Sequence, residues 1–153
     1  QYKDMLVENL SFCIAEKGLE LFAWCVMSNH VHLICRAAEG KLLPNIIRDL
    51  KKYSARTLLE AIADNPKESL KEWMLDRFGF AGRINPNNQY QQFWRHDNHP
   101  IELWSADIIE QKLDYLHQNP VVAGFVDEAE HYPYSSAIDY SGGKGRLPIV
   151  FIR

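Results

Sequence analysis

Two strand-length apolar runs separated by a two-residue turn constrain this chain more than any other feature. Leu19 to Met27 is rich in aromatic and branched residues, and His30 to Cys35 follows after Ser28-Asn29. Together they read as an antiparallel hairpin. The flanking patterns are helical rather than repeated βαβ units. Tyr2 to Lys17 places Met5, Leu6, Leu10, Phe12 and Cys13 near helical spacing, with Gly18 as a stop. Lys41 to Ala63 carries Pro44 in a first turn and an apolar face of Ile46, Ile47, Leu50, Tyr53, Ala55, Leu58 and Leu59, ended by Asn65-Pro66.

Beyond that break the pattern predicts a shorter helix over Glu68 to Phe78, a loop over Gly79 to Asn88 and a short strand over Gln89 to Arg95. A turn follows at Asn98-His99-Pro100. Ser105 caps a helix from Ala106 to Gln118 with Asp107 in its first turn, and Asn119-Pro120 ends it. Leu147 to Ile152 reads as a last strand. A hairpin mixed with helices predicts an α+β fold, an antiparallel sheet with helices on one face.

At 153 residues, 46% hydrophobic and 24% charged, the chain fits one globular domain spanning 1–153. The formal charge of −3 argues against non-specific nucleic-acid binding through net charge, but leaves room for a local basic face. Apolar runs stop well short of membrane-spanning length, and the first residues lack the signal-peptide pattern. Cys13, Cys25 and Cys35 lie in apolar segments with no CxxC pair, so buried free thiols in a reducing cytoplasm are expected. The chain begins at Gln1 rather than Met, which leaves room for residues upstream.

The chemistry starts with Met27-Ser28-Asn29-His30-Val31-His32-Leu33. Side chains alternate along a strand, so His30 and His32 share a face, about 7 Å apart along the backbone. Two imidazoles so placed can converge on one divalent metal, but a site needs a further donor from elsewhere in the fold. A half-buried pair of neutral histidines is the simpler alternative. The helix ending at Asn119 offers a third donor. Tyr115 and Asn119 are four residues apart and share a face, so the Asn119 carbonyl oxygen could join the metal, with Tyr115 within reach of a phosphate held there. The competing reading makes Leu113, Tyr115 and Leu116 core residues and Asn119 a helix terminator. His117, two residues from Tyr115, faces away. Tyr132, Tyr134 and Tyr140 are rival nucleophiles on chemistry alone.

Arg48, Lys52 and Arg56 recur at four-residue intervals and, with Lys51, cluster as a cationic stripe suited to phosphate contact, with a merely solvated helix face as the alternative. Arg95, near Trp94, His96 and His99, is a further candidate DNA contact, and Trp94 could either stack an unpaired base or belong to the core.

The histidine segment resembles the histidine–hydrophobe–histidine (HUH) motif of the IS200/IS605-like Y1 transposases, and most closely their REP-associated tyrosine transposase branch. Asp114-Tyr115-Leu116-His117-Gln118-Asn119-Pro120-Val121-Val122-Ala123-Gly124 resembles that branch's tyrosine helix and the asparagine-proline turn after it. Tyr132-Pro133-Tyr134-Ser135-Ser136-Ala137, Arg48-Asp49-Leu50-Lys51-Lys52-Tyr53 and His99-Pro100-Ile101-Glu102-Leu103-Trp104 are similar to further segments of it, in the same order. The family's usual first strand is not evident ahead of the first helix, and the Asn119 position is often glutamine in the wider family.

The resemblance implies a ferredoxin-like two-layer sandwich acting as a homodimer. It implies a metal-dependent enzyme that cleaves and rejoins single-stranded or hairpin DNA. Tyr115 would be the nucleophile, forming a 5′-phosphotyrosine link and a free 3′-hydroxyl. His30, His32 and Asn119 would hold Mg²⁺ or Mn²⁺. A non-catalytic hairpin-DNA-binding relative, a replication-initiator-like nuclease and a small metal-binding protein are the alternatives.

Overall fold

The computed structural model describes residues 1–65, 102–103 and 105–152. Helix α1 (Tyr2–Phe12) runs on through a wider π-helical turn, Cys13–Lys17. It ends at Gly18, whose φ of 80° is the left-handed conformation that glycine adopts without strain. A Cβ at Gly18 would also stand 2.8 Å from the Lys41 side chain, so the position is closed to other residues on two counts. Strands β1 (Leu19–Val26) and β2 (Val31–Ala37) form the expected antiparallel hairpin. The Met27 N–H donates to the His30 carbonyl at 2.9 Å, closing the loop around Ser28-Asn29.

Between Leu21 and Ala23 the register slips by one residue: Leu21 pairs with Cys35 but Ala23 with Ile34, leaving Phe22 as a bulge. The bulge reverses the parity of β1. Leu19 and Leu21 before it, and Trp24 and Val26 after it, enter one core. Ala23, Cys25 and Met27 enter another, on the opposite face. From Ala23 onward both faces of β1 are buried and its sequence is apolar, whereas Glu20 before the bulge is only half-buried and pairs with Arg36.

The first core is filled by Leu6, Leu10 and Cys13 of the amino-terminal helical segment and by Ile46 and Leu50 of α2 (Leu43–Asp64). These two helices supply the helical layer of the expected α+β sandwich. Pro44 stands in the first turn of α2, as expected. The buried stripe of α2 is Ile46, Leu50, Ser54, Leu58 and Ile62; Tyr53, expected on that face, is instead exposed and stacks on Phe12 at 6.5 Å.

Helix α3 (Ala106–Val122) packs on the opposite face of the hairpin through Leu113 and Leu116, so helices cover both faces rather than the one expected, because both faces of β1 from Ala23 onward are apolar. Ser105 caps it, its hydroxyl accepting from the Ile108 N–H at 3.2 Å. The helix does not end at Asn119-Pro120 but continues through Pro120 to Val122. A proline removes one intrahelical donor. Here the turn is closed downstream, by Ala123 N–H to Asn119 O at 2.9 Å and Phe125 N–H to Pro120 O at 2.9 Å. Asn119 is therefore a helical residue rather than a terminator.

After α3 come a single 3₁₀ turn (Ala129–His131) and a short helix α4 (Ala137–Tyr140). The segment between them seals the outer edge of β1: Val26 N–H donates to Tyr134 O at 2.8 Å, and Ser136 N–H to Trp24 O at 2.9 Å. The strand expected over Leu147 to Ile152 is not formed. Val150 N–H donates to Leu21 O at 2.8 Å beside the bulge, Leu147 is buried in the first core, and Pro148 has no N–H to continue a ladder. The expected elements between 68 and 100 lie outside the described residues. Among those described, no helix is long and apolar enough to cross a membrane.

Candidate functional site

The hairpin places His30 just before β2 and His32 within it, on the face turned toward α3. Their ring centroids are 4.7 Å apart, nearly perpendicular. His30 is exposed and shares a 2.6 Å hydrogen bond between Nδ1 and Asn29 Oδ1. His32 is half-buried. Burial first, and the neighbouring His30 second, lower its pKa and favour the neutral ring.

Helix α3 brings its residues to this pair from far along the chain. Asn119 Nδ2 lies 3.1 Å from His32 Nε2, and the Tyr115 ring stands edge-on to His32 at 5.8 Å between centroids. Tyr115 is 62% exposed, which removes it from the core and leaves its phenol open to a ligand. The four side chains thus meet at one surface, from two elements joined only through tertiary packing.

The rival tyrosines are committed elsewhere. Tyr132 is buried, its hydroxyl donating to Val26 O at 2.6 Å, and burial pushes its pKa up to about 12. The Tyr134 hydroxyl donates to Asp4 Oδ1 at 3.1 Å, and the Tyr140 hydroxyl to Phe22 O at 2.8 Å. The three thiols are free. Burial raises the pKa of Cys13, that of Cys35 to about 11 and that of Cys25 to about 12, so none is an activated nucleophile.

The cationic stripe is not part of this cluster. Arg48, Lys52 and Arg56 are exposed on α2, the helix packed against the other face of the sheet. Arg48 is held by Asp49 and Asn45, and the Arg56 guanidinium lies 5.4 Å from the Tyr53 ring centre. Lys51 is half-buried and Arg95 lies outside the described residues.

His117 faces away from Tyr115, as its spacing predicts, but it is not idle. It is buried, with Nε2 2.8 Å from Ser136 Oγ. That partnership spans 19 residues and has no local sequence signal beyond the presence of both residues in segments with family resemblance.

Among the described residues, no group of three or more His, Cys, Asp or Glu side chains is placed to hold a metal. The donors that do converge are two imidazoles and one carboxamide, a set compatible with a divalent ion but short of carboxylate.

The α+β fold gathers a histidine pair, an amide and an open phenol on one surface. The family model described as "Transposase IS200 like" matches residues 1–80, and the chain belongs to that family. The matched residues include His30, His32 and Arg48 to Arg56, whereas Tyr115 and Asn119 lie beyond them. No match is found among curated proteins or among solved structures. Membership implies a transposase function: a DNA-transferring enzyme whose partner is DNA.

Proposed function

We propose that the chain cleaves and rejoins single-stranded DNA, with Tyr115 as nucleophile and His30, His32 and Asn119 as ligands of Mg²⁺ or Mn²⁺. The observation that carries this reading is the convergence of His32, Asn119 and Tyr115. A nucleophile must stand beside the groups that position its phosphate, and Tyr115 stands exposed beside His32.

The donor set fits the ion in kind. The His32 ring is kept neutral by burial, the form that binds metal. His30 lies beside it, and Asn119 would supply its carboxamide oxygen. A bound divalent cation would polarise the phosphodiester and neutralise developing charge. The chain's own work is positional. Tyr115 Oη would form a bond to phosphorus as the bond to the 3′ oxygen breaks. The phenol proton leaves and the 3′ oxygen takes up a proton, giving a 5′-phosphotyrosine and a 3′-hydroxyl. Rejoining is the reverse attack by a 3′-hydroxyl, with no outside energy source, because the phosphotyrosine conserves the ester bond.

The exposed position of Tyr115 suits an unpaired backbone, which bends into a surface site at less cost than a duplex. The stripe on α2 lies on the far side of the sheet from Tyr115, so in this reading it grips flanking DNA, such as a hairpin stem. The homodimer and the REP-associated branch belong to the same reading. Labelled hairpin DNA incubated with the protein and Mn²⁺ is expected to yield a protease-sensitive covalent adduct, and an unchanged adduct in Tyr115→Phe would overturn the assignment.

A further inference from the structure

We infer that His117 is a positioning residue for this site: through Ser136 it fixes helix α3 in register against β1, and so sets where Tyr115 and Asn119 meet His32. The inference rests on the proposed strand-transfer reading.

Tyr115 and Asn119 flank His117 by two residues on either side, so at 3.6 residues per turn His117 points to the opposite side of the helix. That side is the packed one, shared with Leu113, Leu116 and Pro120. His117 is 8% exposed and Ser136 not at all. His117 Nε2 and Ser136 Oγ share a 2.8 Å hydrogen bond. Ser136 Oγ accepts from the Trp24 N–H at 3.0 Å, while the Ser136 N–H donates to the Trp24 carbonyl at 2.9 Å. Trp24 precedes Cys25, whose cross-strand partner is His32. A continuous chain of polar contacts therefore runs from the middle of the tyrosine helix to the strand paired with the histidine strand.

Apolar contacts alone would leave α3 free to slide or roll by a fraction of a residue, because they are non-directional. A buried hydrogen bond is directional, and breaking it leaves a polar group unsatisfied. Neighbouring contacts hold the Ser136 end rigid: Ala137 N–H donates to Ser135 Oγ at 3.0 Å, and Ser135 bridges to Cys25. The Tyr132-to-Ala137 segment, which has no part in the chemistry, gains a role here as the anchor for the helix that does.

The test compares His117→Leu, His117→Gln and Ser136→Ala with the wild-type chain. Glutamine extends an amide to the place of Nε2, whereas leucine fills the space without a partner. At saturating single-stranded DNA, the rate of adduct formation should fall about 10²-fold in His117→Leu and Ser136→Ala, the loss typical of a roughly 1 Å misplacement. The dissociation constant for DNA should stay the same, and His117→Gln should recover most of the rate. Independently of activity, NMR cross-peaks between the His32 and Tyr115 rings should persist in wild type and His117→Gln and weaken in the other two. Folded His117→Leu with a wild-type rate and intact cross-peaks would overturn the inference, and should His117→Leu not fold, Ser136→Ala decides by the same two readouts. A wild-type chain that forms no Tyr115-dependent adduct would remove the strand-transfer reading, while the cross-peaks would still decide whether His117 positions the helix.

Discussion

Asn119 Nδ2 lies 3.1 Å from Nε2 of His32, joining two residues 87 positions apart. That contact ties the tyrosine helix to the histidine strand at the point where the proposed chemistry takes place.

Tyr115→Phe removes the phenol oxygen and keeps the ring beside His32. The covalent adduct should fall by about 10³-fold or more, as for loss of other enzymatic nucleophiles, with DNA binding unchanged. Gel analysis of labelled DNA after denaturation measures this. Substituting Tyr132 instead should lower stability without moving the nucleophile, because its hydroxyl is spent on Val26 O.

Metal binding to the native state alone should raise the melting temperature, by an increment growing with free metal concentration. Mn²⁺ is expected to do so in the wild-type chain, and chelation to reverse it without unfolding the protein. His30→Ala should abolish the shift and Asn119→Ala reduce it. Equal shifts in all three proteins would place the ion elsewhere.

The stripe on α2 should bind phosphate without taking part in the chemistry. Replacing Arg48, Lys52 and Arg56 together by alanine should flatten the dependence of log affinity on log salt by about 3 on a hairpin stem, at about 0.9 per phosphate contact in duplex DNA. At saturating DNA the adduct rate should hold. A salt slope equal to wild type would exclude the stripe from the DNA path.

Asp4 gives a pH-dependent test of the fold. The hydrogen bond from Arg146 at 2.7 Å, and that from the Tyr134 hydroxyl, hold its carboxyl below the usual range. A carboxyl with a depressed folded pKa stabilises fully above the ordinary value of about 3.9, and that contribution disappears as pH falls through the folded value. Asp4→Asn should therefore lower the melting temperature at neutral pH, and the gap to wild type should close in strong acid. Melting curves across pH 2 to 7 measure it, and a gap independent of pH would contradict the assignment.

Much of the local structure could be read from the residues in order. The hairpin, Gly18 as a helix stop, Pro44 in the first turn of α2 and the Ser105 cap are all set by neighbours within a few positions. The pairing of His30 with His32, and of Tyr115 with Asn119, was legible for the same reason, since both follow from the periodicity of one element. The end of α3 departs from its sequence pattern because Pro120 ordinarily breaks a helix, and the backbone bonds that close the turn come from residues after it.

The bulge at Phe22 has no local sequence signal, yet it decides which residues of β1 face the tyrosine helix. Only the tertiary structure put α3 on the histidine face and α2 on the other, separating the cationic stripe from the phenol. Only it showed Tyr115 in the open and His117 tied to Ser136. Periodicity specifies which side of an element is buried; which elements meet depends on packing among residues far apart in the chain, and no local pattern encodes that.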